Sequence, residues 1–137
     1  MIVHRTLRGS GGTLNILLVD DDPDILRIVS RMLARNGHQV GTCESPFGVA
    51  AVVLRSAPDI VILDVQMPGL TGPALAGVIA KLNLPKRPLL ALWSSIDDDG
   101  LRKAAEEAGG VPTISKAVRP TELVAAIERI GAQRTRV

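Results

Sequence analysis

The sequence predicts an α/β fold: a doubly wound (βα)5 three-layer sandwich around a five-stranded parallel sheet. Three observations predict it. Five short, mostly aliphatic runs alternate with stretches of helical periodicity. Four of those runs end in polar residues, namely Asp20-Asp21, Asp64, Ser94-Ser95 and Lys116. The hydrophobic fraction of 46% is almost wholly aliphatic and suffices for a core on both faces of a sheet. Strands alternating with helices form parallel sheets covered on both sides, and right-handed crossovers leave few topologies. Strand order 2-1-3-4-5 puts the switch point between strands 1 and 3, where open α/β sheets bind ligands at the carboxyl edge.

The first strand is Ile16-Leu17-Leu18-Val19. Asp22-Pro23-Asp24 starts a helix, with a capping acid and Pro in the first turn. Ile25, Ile28, Val29, Met32 and Leu33 form its apolar stripe, and Asn36-Gly37 closes it. A strand over 39–43 leads to a helix near 46–56, and Ala57-Pro58-Asp59 punctuates. Strand 60–63 is continuously apolar, as a central parallel strand should be. The turn Met67-Pro68-Gly69-Leu70-Thr71-Gly72 precedes a helix near 73–82. Strand 89–93 follows a Pro-rich loop, then a helix near 97–108 whose acidic start, Asp97-Asp98-Asp99, suits the helix dipole. Ala108-Gly109-Gly110 ends it; strand 111–115 and a helix near 120–131 complete the pattern. Residues 1–14 read as a flexible extension, 15–131 as one domain, and 132–137 as a basic tail.

Composition excludes several classes. One Phe, one Trp and no Tyr leave little for stacking on bases. The net charge of +2 is misleading, because Arg5, Arg8, Arg134 and Arg136 lie in the tails; the other 12 Lys+Arg face 14 Asp+Glu, so the body is about −2. Neither a nucleic-acid partner nor a membrane is expected. The N-terminus lacks the apolar core of a signal peptide, and the single Cys43 fits a reducing compartment, so cytoplasmic is the expected location. Cys43 reads as a buried strand residue.

Three carboxylates, a hydroxyl and an ammonium at one sheet edge make a site for a divalent cation and a phosphoryl group. Singly, Asp20, Asp21 and Asp22 read as a helix cap, Asp64 as a loop acid and Lys116 as a solvated lysine. Their coincidence at one edge favours the site. A carboxylate can attack phosphorus and form an acyl phosphate. A phosphoryl dianion is repelled by clustered acids. Mg2+ (or Mn2+) relieves this and prefers one or two carboxylates plus phosphate oxygens and water. Asp21 and Asp64 suit direct contact, and Asp20 contact through water. Lys116 offers a compact charge to a phosphoryl oxygen, and Ser94 a hydrogen bond.

The segments Ile16–Pro23, Pro58–Gly72 and Lys116 with Glu122-Leu123 six residues on, in that order, resemble the receiver domain of two-component response regulators over about residues 15–131. The resemblance implies a flavodoxin-like fold, Asp64 as phosphoacceptor, and Asp20 and Asp21 as the acidic pair for Mg2+. It implies Ser94 as switch hydroxyl, Lys116 as phosphate-pairing lysine, and the Gln66 backbone carbonyl as a further metal ligand. Its phosphodonor would be a histidine kinase or histidine phosphotransfer protein, and its output contact with a further, unknown protein, as monomer or weak dimer. No enzymatic turnover beyond its own phosphorylation and dephosphorylation is expected.

Four positions depart from the family pattern. Spacing from Pro88 would put the switch hydroxyl at Trp93, whereas spacing from Asp64 and from Lys116 puts it at Ser94, with Ser95 in reserve. Thr113 stands where many relatives carry Tyr or Phe, so the pocket there is expected to be smaller or filled by a neighbour, Trp93 or a side chain of the 97–108 helix. Ala117 stands where most have Pro, so the Lys116–Ala117 bond either carries the cost of a cis bond, about 2.5–4 kcal/mol, or is trans with Lys116 placed differently. Thr71 precedes Gly72 where Asp or Ser is commoner. An unphosphorylated pseudo-receiver is the alternative function. A small-substrate Mg2+ phosphatase of the haloacid-dehalogenase type is disfavoured, since a second Asp is needed where Gln66 stands. A flavin binder is disfavoured by acids where a phosphate-cradling loop should be.

Overall fold

The computed structural model describes residues 12–133; Arg5, Arg8, Arg134 and Arg136 lie outside that span. Five strands and five helices alternate as expected: β1 Asn15–Val19, α1 Pro23–Arg35, β2 Gln39–Cys43, α2 Val49–Ser56, β3 Ile60–Asp64, α3 Gly72–Ala80, β4 Leu89–Ser94, α4 Asp98–Glu107, β5 Thr113–Ser115 and α5 Pro120–Ala132. All strand pairs are parallel, in the order β2-β1-β3-β4-β5. Among the described residues no helix is long and apolar enough to cross a membrane.

Alternation along the strands divides the core in two. Ile16, Leu18, Ile60, Ile62, Ala91, Trp93 and Ile114 face α1 and α5. Leu17, Val19, Val61, Leu63 and Leu92 face α2, α3 and α4. Central β3 is buried along its whole length, while edge strand β2 has no buried residue. Cys43, on that edge, is half-buried rather than buried, and its partial burial pushes the thiol up.

Local chemistry sets the boundaries. Asp22 caps α1 by accepting from Asp24 N–H at 3.0 Å, and Pro23 takes the first helical position. The buried stripe of α1 is Leu26, Val29 and Leu33, with Ile25 and Met32 half-buried beside it. Ile28, expected in that stripe, is 43% exposed: at about 100° per residue it lies far around the helix from Leu26. Helix α2 starts three residues later than expected, because Gly48 precedes it at φ 89°, a left-handed conformation that delays helical winding. Strand β5 is shorter than expected, since Gly109 and Gly110 both have positive φ and Pro112 has no N–H for a ladder.

The amino edge of the sheet is tied by polar contacts. Buried Leu14 donates its N–H to His38 Nδ1 at 3.1 Å, and His38 Nε2 meets Glu128 of α5 at 2.8 Å. Asp59 accepts from Asn15 N–H at 2.7 Å and pairs with Lys86 at 2.6 Å. The carboxyl edge, at the other end of the strands, is left for the site.

Candidate functional site

Three of the expected site residues continue one face of the sheet. Asp20, Asp64 and Lys116 each follow by two residues an inward side chain of the α1/α5 layer: Leu18, Ile62 and Ile114. In register, Val19 lies beside Leu63 and Asp64 beside Trp93, so Asp20, directly after β1, and Asp64, at the end of β3, are neighbours. One oxygen from each of Asp20, Asp21 and Asp64 falls within 4.8 Å of the others. Asp21 is exposed, while Asp20 and Asp64 are buried.

Lys116 closes the cluster. Its Nζ lies 3.2 Å from Asp64 Oδ1 and pairs with Asp20 Oδ2. Asp20 Oδ1 accepts from Asp22 N–H at 2.9 Å. Oδ2, fully buried, has the Lys116 ammonium as its charged neighbour and no well-formed hydrogen bond. Burial pushes the Asp64 carboxyl up to about 6, against the lowering pull of Lys116; Asp20 and Asp21 add repulsion. Burial also raises Asp20, offset by Lys116 and by the Asp22 N–H. Every described peptide bond is trans, so Lys116–Ala117 is trans, and Lys116 reaches both acids from it.

Ser94 ends β4 on the opposite face and is buried. Its Oγ accepts from Ile96 N–H at 3.2 Å, and its backbone carbonyl accepts from Lys116 N–H at 2.8 Å. Ser95, the reserve, is exposed. Gln66 lies in the loop after β3 with its side chain exposed. Thr113 is exposed and borders an open groove of about 380 Å3 between β5 and α5, with Val118, Glu122 and Arg129. Neither of the two expected fillers lines this groove: Trp93 belongs to the α1/α5 layer, and no α4 residue borders it.

Two residues take a part here that the sequence did not assign to them. Gly72 opens α3 so close to β3 that a Cβ would fall 2.2 Å from the Asp64 carbonyl oxygen. Trp93 places its ring centroid 5.3 Å from Lys116 Nζ and donates its Nε1–H to Val19 O at 3.2 Å. The only sequence signals were a glycine directly after a capping Thr71 and a lone Trp at a strand end.

Two buried carboxylates and one exposed one, with one buried oxygen lacking a well-formed hydrogen bond, suit a hard divalent cation. Ligands about 2.1 Å from a shared ion lie within about 4.2 Å of each other, so modest closure of the cluster accommodates one.

The response regulator receiver domain model matches residues 16–128. The chain is 34% identical over 124 residues to the transcriptional regulatory protein PrrA of Mycobacterium tuberculosis, covering 87% of this chain and 50% of that protein. It is 30% identical over 125 residues to the sensor histidine kinase AruS of Pseudomonas aeruginosa, covering 89% and 12% respectively. A solved structure of a putative response regulator from Chloroflexus aurantiacus superposes with a TM-score of 0.77 at 27% identity, covering 88% of this chain and 98% of that one. The chain belongs to the response regulator receiver domain family. It spans about half the length of the mycobacterial regulators it matches.

Proposed function

We propose that Asp64 accepts a phosphoryl group from a histidine kinase or histidine phosphotransfer protein. The observation that carries this reading is the cluster of Asp20, Asp21 and Asp64 closed by Lys116 at one sheet edge. An Asp64 carboxylate oxygen attacks phosphorus, the phosphorus–nitrogen bond of the donor breaks, and the imidazole leaves as an acyl phosphate forms. Mg2+, held by Asp20, Asp21, Asp64 and the Gln66 backbone carbonyl, would neutralise phosphoryl charge. Lys116 pairs with one phosphoryl oxygen, and Ser94 donates its hydroxyl to another. Lys116 already contacts Asp64, so it lies within reach of any group built on that carboxylate.

The product is a changed protein surface rather than a released small molecule, and output runs through contact with another protein. We place the receiver unit at 15–131, in the cytoplasm, as a monomer or weak dimer without nucleic-acid contact of its own. An unphosphorylated pseudo-receiver is the second reading, favoured by Thr113 and Ala117. Intact mass after incubation with Mg2+ and acetyl phosphate separates the two. One phosphoryl adduct, lost in Asp64→Asn, is expected; a wild-type chain without an adduct would leave the pseudo-receiver standing.

A further inference from the structure

Lys116 directly follows edge strand β5, yet its ammonium contacts Asp64 on β3 and Asp20 after β1. Strands lie about 4.8 Å apart, so it reaches back across β4 to do so. The β4 residue in its path is Trp93, the register partner of both Asp64 and Ile114, on the same sheet face as the acids. We infer that Trp93 is a positioning residue for Lys116: its ring seats the ammonium over the acidic pocket, and its N–H anchors the indole beneath it. This rests on the phosphoacceptor reading above.

Several observations support the assignment. Trp93 is completely buried, so its ring has one fixed position. The ammonium lies 5.3 Å from the ring centroid, inside the range of a cation–π contact, and the lysine side chain is only 14% exposed, which strengthens such a contact. The Nε1–H bond to Val19 O spans from β4 across β3 to β1 and ends on the residue before Asp20. One indole therefore fixes the lysine and braces the strand that carries its acidic partner. Both carboxylates that hold Lys116 are also cation ligands in the proposed chemistry. When a cation claims Asp20, the ring remains as the uncharged contact that keeps the ammonium beside Asp64. A small aliphatic residue at 93 would leave Lys116 to follow the acids alone.

The test uses the full chain and compares Trp93→Leu, Trp93→Phe, Lys116→Ala and Trp93→Leu/Lys116→Ala. Without metal, the Lys116 Cε protons should show an upfield ring-current shift by NMR, lost in Trp93→Leu and largely kept in Trp93→Phe. With Mg2+ and acetyl phosphate, Trp93→Leu should slow phosphorylation about 5- to 30-fold, the scale of a desolvated cation–π contact, and Trp93→Phe should restore most of the rate. In the Lys116→Ala background, Trp93→Leu should add little, because the lysine it positions is gone. Equal losses in both backgrounds would mean that Trp93 acts through the core alone and would overturn the inference. So would a Lys116 shift unchanged by Trp93→Leu. If Trp93→Leu does not fold, Trp93→Phe decides: an unshifted lysine beside a retained ring overturns it. A wild-type chain that takes no phosphate overturns the underlying reading, and the inference with it.

Discussion

Gly72 stands against the backbone of Asp64: a Cβ there would fall 2.2 Å from the Asp64 carbonyl oxygen and 3.1 Å from Val65 Cα. Gly72 N–H also donates to Val65 O at 3.0 Å, so α3 begins directly on the strand end that carries Asp64. Its φ is not positive, and the requirement is space rather than conformational freedom.

Gly72→Ala should therefore push α3 off β3 or tilt Asp64 out of the cluster. Overpacking of this kind costs about 1–3 kcal/mol. Urea unfolding should show the loss, and the phosphorylation rate should fall with it. Unchanged stability and rate would show that the helix start yields freely.

The fold was legible in the sequence because its signals are local. Ile60–Leu63 is a continuous aliphatic run, which only a strand covered on both faces needs, and Asp64 follows it directly. Asp22-Pro23 and Asp97 both cap helices where the acid–Pro and acid-rich starts place them. What stayed hidden depends on distance across the sheet. Trp93 and Lys116 are 23 residues apart in sequence and meet only through register. Ile28 misled because the apolar spacing of α1 admits two overlapping stripes, and only packing on the sheet selects Leu26, Val29 and Leu33. The groove beside Thr113 could not be foreseen, since nothing local says whether a small residue on an edge strand is covered.

The raised Asp64 carboxyl gives stability a pH dependence. Its ordinary value of 3.8 is pushed to about 6. Between about pH 4 and 6 the folded state thus binds more protons than the unfolded state, and stability falls as pH rises through that window. Above it the buried carboxylate costs on the order of 2–3 kcal/mol. Burial raises Asp20 in the same direction. Without metal, Asp64→Asn should be more stable than wild type at pH 7, and that advantage should shrink as the pH falls from 7 to 4.5. A wild-type stability that rises across this window in parallel with Asp64→Asn would contradict the assignment. Phosphorylation needs the carboxylate, so its rate should drop below about pH 6, with Mg2+ moving the midpoint lower.

Lys116 and the proposed divalent cation would compete for the same oxygens, since Nζ contacts Asp20 Oδ2 and Asp64 Oδ1. Lys116→Met removes the resident positive charge from a largely buried cluster. Mg2+ should then bind at least several-fold more tightly by calorimetric titration, because like-charge repulsion at such range is strong in a poorly screened site. Phosphorylation should nevertheless slow, for want of a partner to the phosphoryl oxygen. Weaker Mg2+ binding in Lys116→Met would show that the lysine organises the acids rather than competing for them.

In the proposed function Ser94, rather than Thr113, would carry the phosphorylation signal outward. Ser94 Oγ accepts from Ile96 N–H at 3.2 Å, and its own proton is free to turn toward a phosphoryl oxygen. Following that oxygen would strain or break the bond to Ile96. Ile96 packs on the α4 layer, and a Cβ at Gly100 would fall 3.0 Å from its Cδ1, so displacement of Ile96 is passed to the first turn of α4. Asp97 caps that turn by accepting from Gly100 N–H at 2.8 Å, which makes the cap the element most exposed to the shift. Thr113, by contrast, is exposed beside an open groove and too small to open or close it by turning. A phosphoryl group can bias two states only through contacts that differ between them, and here those contacts lie along 94–100. Hydrogen exchange should therefore change on phosphorylation across about 94–104 more than around Thr113. Ser94→Ala should still accept phosphate at Asp64 but lose that exchange response, and Thr113→Ala should keep both. Loss of the response in Thr113→Ala with retention in Ser94→Ala would place the coupling on β5 instead.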